Sequence, residues 1–139
     1  MSNLVNIDAA LVQAYLAVGL GLPTAYENKD FTPPSANWAS VSNHPAGKSP
    51  VTLGDGGEDN TSGYFQIDLH TPENKGRTAL LGLADTVLGY FFSGQRFQSN
   101  GQVVTIRRSS LSPIHKDDQT ASFVLSVSVY WDSRSNRPT

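Results

Sequence analysis

"TASFVLSVSVYW", Thr120 to Trp131, sets Phe123, Leu125, Val127, Val129 and Trp131 in alternation with Ser126, Ser128 and Tyr130. Successive strand side chains point to opposite faces, so this segment must bury one side and leave the other polar. "GYFQIDLH", Gly63 to His70, repeats the pattern, with Phe65, Ile67 and Leu69 against Tyr64, Gln66, Asp68 and His70. A further strand, "GQVVTIRRSS" from Gly101 to Ser110, follows a turn at Ser93 and Gly94. Strands with a single apolar face need a second layer to cover it.

Two segments have the helical period to supply that layer. From Asn3 to Val18, Leu4, Ile7, Leu11, Ala14 and Val18 recur at helical spacing, with Asn3 as N-cap, Gly19 and Gly21 as stops and Pro23 beyond them. A second apolar set, Val5, Ala9, Val12 and Leu16, falls on another face of the same helix. Two apolar faces require two covers, either within one thick core or from another subunit. In "TPENKGRTALLGLADTVLGYFF", Thr71 and Pro72 suit a helix start, and Leu80, Ala84, Val87, Leu88 and Phe91 form one face opposite Thr78, Asp85 and Gly89. The expected fold is α+β: two layers, a mostly antiparallel β-sheet with two α-helices packed on one face. Residues 1–132 form the single domain. Within it, 43–63 is rich in Gly, Pro, Ser, Asp and Asn and is read as a long loop or mobile hairpin, while 133–139 is read as a flexible tail.

A domain of 139 residues buries roughly 68% of the surface its unfolded chain would expose, enough for a core without staples. The absence of cysteine excludes disulfides, thiolate metal sites and cysteine nucleophiles. A net charge of −2, with ten Lys and Arg scattered along the chain, provides no basic stripe for phosphates, so specific nucleic-acid binding is not expected. No apolar run approaches the ~20 residues of a membrane span, and "MSNLVNIDAALVQ" lacks the charge and apolar core of a signal peptide.

Catalytic and metal constellations are weak. Asp68 and His70 share a strand face, and His115 precedes Asp117 and Asp118, but three histidines do not make a convergent ligand set. "GDGGEDN", with Asp55, Glu58 and Asp59, misses the spacing of a calcium loop and reads as a solvated turn. No phosphate-binding loop, nucleophile elbow or zinc-protease motif is present, so neither enzymatic activity nor a cofactor or metal is expected. Arg107 and Arg108 are adjacent in a strand and should point to opposite faces, which argues against a basic patch and leaves an interface ion pair for one of them.

"AYENKDFTPPSANWASVS", Ala25 to Ser42, places Tyr26, Phe31 and Trp38 around a turn stiffened by Pro33 and Pro34. Together with "NIDAALVQAYL", "GYFQIDLHTPENKG", Leu83-Ala84-Asp85, "FSGQRF" and the closing "VSVYW", taken in order, this pattern resembles the tail terminator (tail completion) proteins of long-tailed bacteriophages. The resemblance implies a structural virion protein assembled in the host cytoplasm. It implies a homo-oligomeric ring, of six copies, at the head-proximal end of the tail, with the major tail tube protein and the neck or head-completion proteins as partners and the genome passing through the lumen. Under it, Tyr26, Phe31, Pro33, Pro34, Trp38, Arg107 and Arg108 are candidates for the subunit or tube interface, although Tyr26, Phe31 and Trp38 could equally plug the sheet edge. Competing readings are another neck or minor tail component and, from a different class, a small-ligand-binding domain or hydrolase.

Overall fold

The structure is a computed structural model that describes residues 3–27, 31–34, 36–51, 57–72, 77–117 and 122–136. Helix α1 (Asn3–Val18) is followed by strands β1 (Thr24–Tyr26), β2 (Trp38–Pro50) and β3 (Glu58–Pro72), and then by helix α2 (Thr78–Tyr90). Strands β4 (Arg96–Ser99), β5 (Gln102–Leu111), β6 (His115–Asp117) and β7 (Ser122–Asn136) complete the chain. They form a seven-stranded sheet in the order β1-β2-β3-β7-β5-β4, with β6 pairing to β7 beyond the end of β5. Only the β1–β2 pair is parallel among the described strands. The architecture is thus α+β with a mostly antiparallel sheet.

The alternation of the two long central strands decides which side is apolar. Phe65, Ile67 and Leu69 of β3 and Leu125, Val127, Val129 and Trp131 of β7 are buried in one cluster with Val104 and Ile106 of β5. Ile7, Leu11 and Ala14 of α1 and Leu80, Ala84 and Val87 of α2 join the same cluster, as does Phe91 just past α2. Helix α1 lies against β4 and β5, and α2 against β3 and β7. Helix α1 ends where glycine permits a left-handed turn, with Gly19 at φ 74° and its N–H bonded to the Leu16 carbonyl.

Two boundaries differ from the sequence reading, and a third segment takes one of the two forms it offered. Thr71 and Pro72 do not open α2; they close β3, opposite Phe123 and Ser122 of β7. Strand β7 is long enough to hold them in register, and a proline at the last residue of a strand removes little from the ladder. Of the two readings of 43–63, loop or hairpin, the structure has the hairpin: residues 43–50 and 58–63 are its arms, paired from Asn43↔Phe65 to Pro50↔Asp59 with a bulge between Pro45 and Gly47. Residues 133–136 are likewise strand, paired with 58–61, rather than a free tail. Ladder hydrogen bonds are made by the main chain, so a polar sequence can carry them when a third strand lies alongside. The Ser133 hydroxyl, buried, donates to the Val103 carbonyl and accepts from the Gln102 amide, which ties this arm to β5. The Asn3 side chain, residues 52–56 with Asp55, Asp118, and residues 137–139 lie outside the described residues.

Candidate functional site

On the face of the sheet opposite the apolar cluster, register brings together residues far apart in sequence. His44 of β2 is opposite Tyr64 of β3, Tyr64 opposite Tyr130 of β7, and Tyr130 opposite Arg108 of β5. Their side chains make a continuous cross-strand row: His44 stacks on Tyr64 at 4.6 Å, Tyr64 meets Tyr130 at 5.8 Å, and the Arg108 guanidinium lies 3.7 Å from the Tyr130 ring centre. Such pairs hold rings in place across strands, each contributing about 0.5–1 kcal/mol. Arg107 joins this face through a 2.7 Å ion pair with Asp132, which raises its guanidinium pKa further.

Both arginines therefore project on one face, contrary to the alternation argument. A bulge between Ile106 and Arg108 inserts a residue into β5 and re-aims the side chain beside it. The basic pair is real and both members are exposed.

About six residues along β3 from the tyrosine row, ~20 Å at the rise of a strand, lies a second cluster. The Trp38 indole stacks on His70 at 3.6 Å with the rings 6° from parallel, and Phe31 packs against Trp38 at 5.2 Å. Trp38 is buried, so it closes this end of the sheet, with Phe31 half-buried over it. Pro33 is exposed and Pro34 half-buried in the same approach to β2. Of the seven residues singled out from sequence, Phe31 and Trp38 meet each other, Arg107 and Arg108 share a face, and Tyr26 stands apart beside α1. His44, Tyr64, Tyr130 and Asp132 went unnoticed; the alternation places Tyr64 and Tyr130 on the polar side, but only register reveals that they touch.

Between the two clusters the Asp68 carboxylate accepts hydrogen bonds from Ser126 (2.6 Å), Gln66 (2.8 Å) and Ser40 (3.4 Å). His70 has Ser40 at 3.3 Å from Nε2 and Ser122 at 3.2 Å from Nδ1. A serine-type relay needs the acid on the imidazole nitrogen opposite the nucleophile. Here that nitrogen faces Ser122 while Asp68 bonds Ser40 and Ser126 directly, so the set is a hydrogen-bond network rather than a triad. Among the described residues, no group of three or more His, Asp or Glu is placed to hold a metal ion.

Burial pushes the His70 pKa below its ordinary value of 6.5, against the opposing pull of Asp68 and Asp117 and aided by His115. Because the unfolded chain binds this proton more readily, the folded state is favoured above about pH 6.5 and loses stability as pH falls through that value toward the lower folded pKa. His70→Gln should flatten the melting temperature between pH 7.5 and 5.5 relative to the parent protein. A parent stability that rises on acidification over that interval would contradict this assignment.

A groove of about 490 Å³ lies on the other side of the molecule, between α1 and the β1–β2 edge. Ala9, Val12 and Leu16 form its helical wall, Tyr26, Val41 and Phe65 its strand side, and Asp8 and Glu27 lie on its border. The helical wall is the second apolar face of α1. The protein covers it only in part: Ala9 and Val12 are half-buried, while Val5 is 64% and Leu16 59% exposed.

A sequence profile described as "Phage tail terminator protein" matches residues 6–131 of the chain. A solved structure with 24% sequence identity superposes with a TM-score of 0.72 over 96% of each chain, a likeness that shows the fold alone. No curated protein matches the sequence.

Proposed function

The chain belongs to the phage tail terminator family, and from that premise we propose that it closes the head-proximal end of the tail tube as a hexameric ring. In this role it stops tube polymerisation and offers the head's neck proteins a surface to bind. The work is structural: the chain is a component of the virion tail, and its activity is the formation of contacts. Its partners are further copies of itself, the tube protein below and the neck or head-completion proteins above, with assembly in the host cytoplasm and the genome passing through the lumen.

The observation that carries the reading is the partly uncovered second face of α1, exposed at Val5 and Leu16. Monomeric proteins expose single apolar residues freely, but an aligned helical face bordering a groove marks a contact. The family supplies the class of partner. The two helices form one layer on the apolar side of the sheet in this reading, leaving the polar face and the groove available to different neighbours. Phe31, Pro33 and Pro34 hold a preformed shape at the sheet end, since proline fixes φ in advance and less entropy is lost on contact. Arg107 and Arg108 give the polar face a cationic border suited to an acidic partner surface.

The test is a phage lacking the gene. Its tails should vary widely in length and fail to join heads, and the protein supplied in trans should restore both properties. Deletion tails of uniform length that attach to heads would overturn the terminator role, even if the protein were found in virions.

A further inference from the structure

The turn between α2 and β4 carries an aromatic residue that the fold does not use. Phe91 is buried and packs with Tyr90 and Phe97, whereas Phe92 is 51% exposed. The turn that presents it is firmly held. Gln95 N–H bonds the Phe92 carbonyl at 3.0 Å, Gly94 N–H and the Ile106 carbonyl lie 2.7 Å apart, Ile106 N–H returns to the Gln95 carbonyl at 2.8 Å, and the Ser93 hydroxyl donates to the Arg107 carbonyl at 2.9 Å. Phe92 is therefore a fixed knob, with the exposed Arg96 four residues beyond it.

The groove beside α1 has complementary chemistry. Its lining is largely apolar, with Gln13, Ser42 and Asn43 as polar members, and it carries Asp8 and Glu27, the latter accepting a hydrogen bond from the Asn43 N–H; these two are the only charged residues in the first 28 positions of the chain. Knob and groove share no residue: the knob is the turn between α2 and β4, and the groove is lined by α1, β1, β2 and Phe65 of β3. We propose that Phe92 of one copy inserts into the α1–β1 groove of the next, with Arg96 meeting Asp8 and Glu27. A knob and a hole at separate places on one molecule make a head-to-tail contact, which repeats and closes into a ring when its rotation allows. A rigid aromatic entering an apolar pocket with a charged border is also the usual anatomy of an interface hot spot. This inference rests on the ring reading above and supplies its contact.

The chain has no cysteine, so engineered thiols report the contact directly. Purified single variants Phe92→Cys and Leu16→Cys, each in the full chain, are mixed under mild oxidation with tail tubes present. The expected product is a disulfide-linked pair of one variant with the other, exceeding either self-pair by at least tenfold. Phe92→Asp, at an exposed position, should keep the parent's melting temperature and weaken self-association at least tenfold by light scattering and on tube ends. Arg96→Glu should weaken it as well, and combining it with Asp8→Arg should recover most of the loss. If rings form but the mixed pair is absent and Phe92→Asp assembles like the parent, this contact is wrong while the ring stands. If no assembly occurs in solution or on tubes, the ring reading itself fails, and this inference with it.

Discussion

Gly63→Ala should lower stability by roughly 2–4 kcal/mol, near the upper end for overpacking, and the melting temperature by about 10 °C. A methyl group at this position would lie 2.5 Å from the His44 carbonyl oxygen, 2.8 Å from the Pro45 Cα and 2.9 Å from Cζ2 of Trp131. Two of these three neighbours are backbone, so rotating a side chain does not relieve them. Gly63 is not among the glycines with positive φ, so the cost comes from space and not from backbone strain. The crowding has a local cause: Gly63 is opposite Pro45, where the bulge that precedes Gly47 begins. Gly82→Ala, inside α2, is the informative control. Nothing lies within 4 Å of its added carbon, and alanine in a helix interior should stabilise by about 0.5–1 kcal/mol. Adding Trp131→Phe to Gly63→Ala should recover only a small part of the loss, because the backbone contacts persist. A Gly63→Ala protein that denatures within 0.5 kcal/mol of the parent would refute the packing described for the bulge.

What the sequence disclosed and what it concealed divide along physical lines. The apolar faces of β3 and β7 were legible because a period of two over six or more residues is hard to produce by chance. Both apolar sets on α1 were legible from their helical spacing over sixteen residues, and the structure buries Ile7, Leu11 and Ala14 while leaving Val5 and Leu16 outside. Strands β1 and β6, three residues each, and β4, with four, are too short to display a period. The choice between loop and hairpin over 43–63 was not legible because the arms pair through the main chain while their side chains are those of turns. The hairpin's free edge also carries Pro45, Lys48 and Pro50, residues that discourage further pairing and look like loop in one dimension. The shared face of Arg107 and Arg108 depends on one bulge, which leaves no mark in composition. The row from His44 to Arg108 depends on the register of four strands, information that enters only when the sheet is assembled.

Trp131→Ala is expected to cost about 3–5 kcal/mol, as for other buried large aromatics. The indole is 1% exposed and belongs to the apolar cluster, so its removal deletes a large contact area and leaves a cavity among branched side chains that cannot collapse fully. It also spans three strands. Trp131 on β7 is opposite Gly63 on β3, and its Nε1–H donates at 3.1 Å to the Asn43 side-chain oxygen on β2. The missing side chain at Gly63 is what allows the ring across, so the two residues form one device that fastens the hairpin arm to the domain. Trp131→Phe separates its parts. It retains most of the apolar area but leaves the Asn43 oxygen without this donor, and should cost about 1–3 kcal/mol, less than the alanine change. Hydrogen exchange gives the spatial test. In Trp131→Phe, amides of 43–50 and 58–63 should lose more protection than those around Val127, because the fastening is local while the centre of the sheet keeps its packing. Uniform loss across both regions, or a phenylalanine variant as unstable as the alanine one, would show that the ring acts as ordinary core and that the arm is held by its ladder alone.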